Sequence, residues 1–146
     1  MNKNNVNVTL WANRAVALGI AVLLFTLPAL LDWYCQFRML YEIERIALTG
    51  AFYCCAVVVF VALWNIDGLL RNIRVGEVFI TENVRRIRVI QWCCGGVALI
   101  CAPAAFVYYP LVFMVIVMGF LCLVVSVVCR VMDAAVTIRE ENDLTI

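Results

Sequence analysis

Eight cysteines and no histidine make up the reactive inventory of this 146-residue chain. Adjacent thiols suit disulfide exchange or a soft metal ion, and two such pairs occur, Cys54-Cys55 and Cys93-Cys94. If the cysteines ride on helices rising about 1.5 Å per residue, Cys54, Cys55 and Cys101 fall at one depth and Cys93, Cys94 and Cys129 at another. Three thiolates at one level form a donor set for a soft metal. A thiol in hydrocarbon, however, stays protonated and packs as a small hydrophobe. The expected role is packing, with no cofactor and no metal ligand. Thiol-redox chemistry is an alternative resting on Cys35, the one cysteine in an outer connection.

The missing histidine also removes the commonest proton shuttle. A proton-coupled exporter needs an ionisable group at mid-membrane, and an intramembrane protease needs a nucleophile with a base or paired aspartates. The long apolar runs carry no Asp, Glu, Lys or Arg, and Thr26, Thr49, Gln91 and Ser126 are among their few polar side chains. No enzymatic activity is expected, and a small oligomeric transporter or channel is the alternative. With a net charge of +1, direct nucleic-acid binding is not expected either.

Those apolar runs dictate the fold. Residues are 66% apolar and only 14% charged, with a mean hydropathy of +1.02, too little polar surface for a soluble domain. Ala15–Leu31, Ile46–Ile66 and Val89–Cys129 are free of charge. About 20 residues cross the hydrocarbon as a helix, so the last run is long enough to cross twice. It must fold back at Tyr108-Tyr109-Pro110, because proline cannot continue the hydrogen-bond ladder and tyrosines suit the membrane boundary. The expectation is an all-α integral membrane protein, a single domain over 1–146 with spans near 13–33, 44–66, 88–108 and 111–130. The first is read as an uncleaved span, with Asp32-Trp33-Tyr34 as an interface anchor.

Helices in lipid are held by close contact at small residues. Ala15/Gly19, Ala17/Ala21, Gly50/Cys54, Ala51/Cys55 and Cys94/Ala98/Ala102 have that spacing, so a compact bundle or a homodimer is expected. Orientation follows the distribution of basic residues. Of the 11 Lys and Arg, all but Arg38 and Arg45 lie in the N-terminal segment, the middle connection and the tail. Both termini are therefore expected in the cytoplasm of a plasma membrane, with a short helical hairpin over 67–88 and a tail over 131–146 on the same side.

Gly76 suits a left-handed helix C-cap, and Thr81 is the expected N-cap of the next helix, with Glu82 in its first turn. Past Arg130, the pattern Val131, Ala135, Ile138 predicts about two further turns of helix. The arginines Arg74, Arg85, Arg86 and Arg88 have two readings, a topology signal among anionic headgroups or a docking face completed by Phe79 and the acidic tail. Glu140 and Glu141 are expected either to be solvated or to face Arg85 and Arg88. Leu144 and Ile146 form an aliphatic end suited to capture by a partner.

The stretch LLRNIRVGEVFITENVRRIRVI, together with the terminal IREENDLTI, resembles the bacterial four-span membrane family known as domain of unknown function 2975. The pattern Gly-x-x-Phe-x-x-x-Asn falls on Gly76, Phe79 and Asn83, and the family's acidic ending on Glu141 to Ile146. The resemblance implies a four-span protein of this length without an assigned activity. It also implies a regulatory pairing, since members are found beside a small helix-turn-helix regulator. The resulting expectation is a non-enzymatic protein that contacts the lipid bilayer and presents a cytoplasmic face to a regulatory protein.

Overall fold

The computed structural model describes residues 3–38 and 41–143. Leu144 and Ile146 lie outside them. The described residues form four helices and no strand: α1 (Lys3–Arg38), α2 (Glu42–Val75), α3 (Thr81–Val107) and α4 (Leu111–Asp143). Each contains a stretch long and apolar enough to cross a membrane. The protein is an all-helical, multi-pass membrane protein.

The turns follow from residues that cannot continue a helix. α3 stops at Val107 and α4 begins at Leu111, so Pro110 occupies the break. Tyr108 and Leu111 close it through the Leu111 N–H to Tyr108 C=O bond of 3.0 Å. Pro28 and Pro103 sit inside α1 and α3 without ending either helix. Long apolar helices tolerate such prolines where neighbouring groups take up the freed backbone.

α3 is the central element. It packs against both α2 and α4, whereas α1 packs against α2, and no Cα of α1 comes within 8 Å of one in α4 among the described residues. α3 also carries the longest buried series, from Asn83 through Val97 and Cys101 to Ala105. Two of its glycines lie at these contacts, where a β-carbon would just reach the neighbouring helix. A β-carbon on Gly95 would stand 3.5 Å from Cys122 Sγ on α4, and one on Gly96 would stand 3.8 Å from Val58 Cγ1 on α2.

The expected small-residue seams are therefore only partly used. Ala51 is buried and Cys55 half-buried, but Gly19 and Gly50 face open space and Cys54 is exposed. Spacing alone could not choose among these faces, because apolar residues flank every one of them. Between α1 and α4 runs an apolar cleft of about 210 Å³ lined by all four helices, including Leu24, Leu27, Cys55, Cys101, Met114 and Met118.

At one end of the bundle, Tyr34 and Tyr108 share a 2.6 Å hydroxyl–hydroxyl bond above a core of Leu27, Leu31 and Leu48. Asp32 pairs with Arg45 there at 2.5 Å. The other, arginine-rich end holds the first turns of α1, the 76–80 connection and the last turns of α4. Asn13 Nδ2 donates to the Leu63 carbonyl at 3.2 Å. Asp67 on α2 accepts Arg71 at 2.7 Å and faces Arg14 of α1 at 3.6 Å.

Candidate functional site

The arginine-rich end is organised around one buried amide. α2 runs to Val75 and is capped by Gly76 at φ 96°, left-handed backbone that costs a residue with a β-carbon more than glycine. The Gly76 N–H reaches Ile73 C=O at 3.1 Å and the Glu77 N–H reaches Asn72 C=O at 3.0 Å, which satisfies the last carbonyls of α2. Asn83, in the first turn of α3, is fully buried at 0% exposure. Its Nδ2 donates to the carbonyls of Glu77 and Val78, both at 2.8 Å, and its Oδ1 accepts Asn72 Nδ2 at 2.8 Å. One side chain thus ties the connection to both helices.

This arrangement corrects the expected cap. Ile80, in extended backbone at φ −128°, is the N-cap residue of α3, and Thr81 is the first helical residue. Asn83 takes over the task of holding the incoming chain, and the Thr81 hydroxyl turns instead to Glu140 Oε1 at 3.3 Å. Glu82 does lie in the first turn, where it pairs with Arg86 at 3.2 Å. The Arg86 guanidinium occupies the space where a β-carbon on Gly68 would stand, so glycine at that position lets α3 lay an arginine against α2.

α4 continues without interruption to Asp143, well past the two turns expected, and packs along α3. The packed residues are Cys129 and Val136, with Met132, against Val84 and Ile87. Val131 and Ile138, whose spacing predicted the continuing helix, lie on its other face and are 63% and 66% exposed. Both stripes repeat at helical spacing on a helix apolar nearly all round, so periodicity could not separate them.

The tail does meet the 76–80 connection, though through other partners than expected. Arg139 Nη1 donates to the Phe79 carbonyl at 3.3 Å, Glu140 meets Thr81, and Arg88 lies 3.9 Å from Asp133. Glu140 forms no ion pair with Arg85 or Arg88 among the described residues. Arg85 is exposed and makes no ion pair among the described residues. Arg74 is also exposed and borders a small cleft with Trp11 and Arg14 of α1.

The sequence reading missed Asn72, Asp67 and Asp133. Asn72 and Asn83 flank a capping glycine, which is the one local signal for an amide clamp; the two aspartates carry no comparable mark. Of the cysteines thought to share a depth, Cys55 and Cys101 meet with sulfurs 3.7 Å apart, while Cys54 turns outward.

The Gly76, Phe79 and Asn83 pattern therefore has a geometric content: cap, displayed ring and buried clamp. No curated protein and no solved structure matches the chain. The model of one family does match, over residues 16–146, and its description is a protein of unknown function, DUF2975. The chain, with its four helices long and apolar enough to cross a membrane, belongs to that family of proteins of unknown function.

Proposed function

We propose that the arginine-rich end faces the cytoplasm of a bacterial plasma membrane and is the docking face for a soluble regulatory protein. The protein would then act by binding rather than by catalysis. The supporting observation is a pair of apolar side chains in a polar setting. Val75 is 79% exposed and Phe79 43% exposed, and Arg74 and Arg85 at the same end of the bundle are exposed too. Val75 lies about 13 Å along the helix beyond Ile66, at about 1.5 Å per residue, and so beyond the second charge-free run. Exposed apolar groups rimmed by charge mark interaction surfaces, and the Asn83 clamp holds this one in a fixed shape.

The basic rim favours a partner with an acidic patch, and a small helix-turn-helix regulator is the candidate that the family resemblance suggests. The open Gly19 and Gly50 faces are compatible with a second copy of the chain in the membrane. Full-length protein purified in mild detergent should retain a soluble regulator, and Phe79→Ala combined with Arg85→Glu should release it. Retention of no partner by the wild type, or equal retention by the double variant, would refute the reading.

A further inference from the structure

Arg88 and Arg130 flank the longest charge-free run, Val89–Cys129, one on each side. Because α3 and α4 run antiparallel from the turn at Pro110, the two arginines end at the same level. Between them lies a cleft of about 270 Å³ lined by Arg88, Gln91, Trp92, Ser126, Arg130 and Asp133. Two guanidinium groups face one carboxylate, so the cleft keeps a positive charge. Among the described residues the Asp133 carboxylate pairs with Arg88 alone, at 3.9 Å, and Arg130 makes no ion pair. Trp92 is 74% exposed, an indole at the level where the chain passes from apolar to charged. Such rings sit at the headgroup boundary.

We propose that this cleft binds the phosphate of an anionic phospholipid. Arginine matches phosphate with parallel N–H···O bonds, and basic pockets between membrane helices at this depth hold anionic headgroups. Gln91 and Ser126 lie just inside the run and supply neutral donors toward the glycerol side of the headgroup. Trp92 covers the upper acyl chain on the lipid-facing side. The site is separate from the regulator-docking face and does not depend on which leaflet the arginine-rich end occupies.

Native mass spectrometry from mild detergent tests it, with dioleoyl-phosphatidylglycerol, dioleoyl-phosphatidylcholine or inorganic phosphate added to the full-length protein. The wild type should retain phosphatidylglycerol selectively. Each arginine is expected to contribute roughly fivefold, from about 1 kcal/mol per charge near a membrane surface. Arg130→Gln should weaken retention by that factor, and Arg88→Gln with Arg130→Gln by the product. Asp133→Asn, which removes the competing carboxylate, should strengthen it. Arg85→Gln, outside the cleft, should leave it unchanged. Because Arg130 holds no structural ion pair, its single variant tests the site even if the double variant fails to fold. Equal retention of both lipids, unchanged retention by Arg130→Gln, or displacement of the lipid by inorganic phosphate at equal concentration would overturn the assignment.

Discussion

Replacing Asn83 with alanine removes three hydrogen bonds at once: two to the carbonyls of Glu77 and Val78 and one from Asn72, all at 2.8 Å. A hydrogen bond contributes about 1 kcal/mol net to stability, and a buried group left unpaired costs more. The carbonyls lie in a surface connection, where water can replace part of the loss, so about 3 kcal/mol is the working figure. The apolar spans are held by their own packing and should remain folded. The loss should therefore appear locally, as opening of 76–80. At 1.4 kcal/mol per tenfold, exchange of the hydrogen-bonded amides that hold the connection, Gly76 and Glu77 at its start and Asn83 and Val84 at its end, should accelerate by up to roughly two orders of magnitude, while amides around Val97 keep their protection. Hydrogen exchange read by mass spectrometry in detergent or nanodiscs measures both. Equal exchange at Gly76, Glu77, Asn83 and Val84 in wild type and variant would refute the clamp, and uniform acceleration along α3 would show that Asn83 supports the whole bundle rather than the connection.

Gly76→Ala places a β-carbon at φ 96° and should destabilise the α2 cap by about 1–2 kcal/mol, read as faster exchange at Gly76 and Glu77 without loss of helix content. Mild oxidation in the membrane should link Cys55 to Cys101, whose sulfurs are 3.7 Å apart, and should leave the outward-facing Cys54 unpaired. Peptide mapping of the Cys54→Ser and Cys55→Ser variants distinguishes the two. Thr81→Ala and Glu140→Ala each remove an exposed contact of 3.3 Å and should change thermal stability by less than about 1 kcal/mol. They should nonetheless increase exchange in the last turn of α4. Should labelling by water-soluble maleimide reach Cys101 or Cys122 rapidly, a water-lined path exists and the transporter reading gains ground.

Some of this architecture was legible because a single residue or a run of residues forced it. The run from Val89 to Cys129 is too long for one crossing, and Pro110 left one place to turn. Gly76 was legible as a cap because left-handed backbone selects glycine. The helix faces were not legible. In soluble proteins polar residues mark the outside, but here lipid accepts Phe120 and Leu123 as readily as the core accepts Val97 and Cys101, and the pattern loses its contrast. The same ambiguity hid which small-residue seams are used, since Gly95 and Gly96 approach neighbours while Gly19 and Gly50 do not.

The candidate site was half visible. The charged and glycine positions stood out against an apolar background, so Arg74, Gly76, Phe79 and Asn83 were identified as a group. Their roles depend on tertiary contacts with no local signature. Asn83, marked in the sequence only by the Gly-x-x-Phe-x-x-x-Asn pattern, is the most buried side chain at this end. Arg86, read as part of a basic surface, folds against Gly68. Glu140 finds Thr81 rather than an arginine because α4 remains helical to Asp143, which carries the tail across the start of α3 instead of along its basic flank.

The side of the membrane taken by the arginine-rich end decides whether a cytoplasmic regulator can reach Val75, Phe79 and Arg85. Paired reporters fused after Ile146 address it directly, one enzyme active only outside the cytoplasmic membrane and one fluorescent protein that matures only within it. The proposed orientation predicts fluorescence with no enzyme activity, and the reverse from insertion between Arg38 and Tyr41. Enzyme activity from the fusion after Ile146 would place the arginines outside the cell and contradict the account.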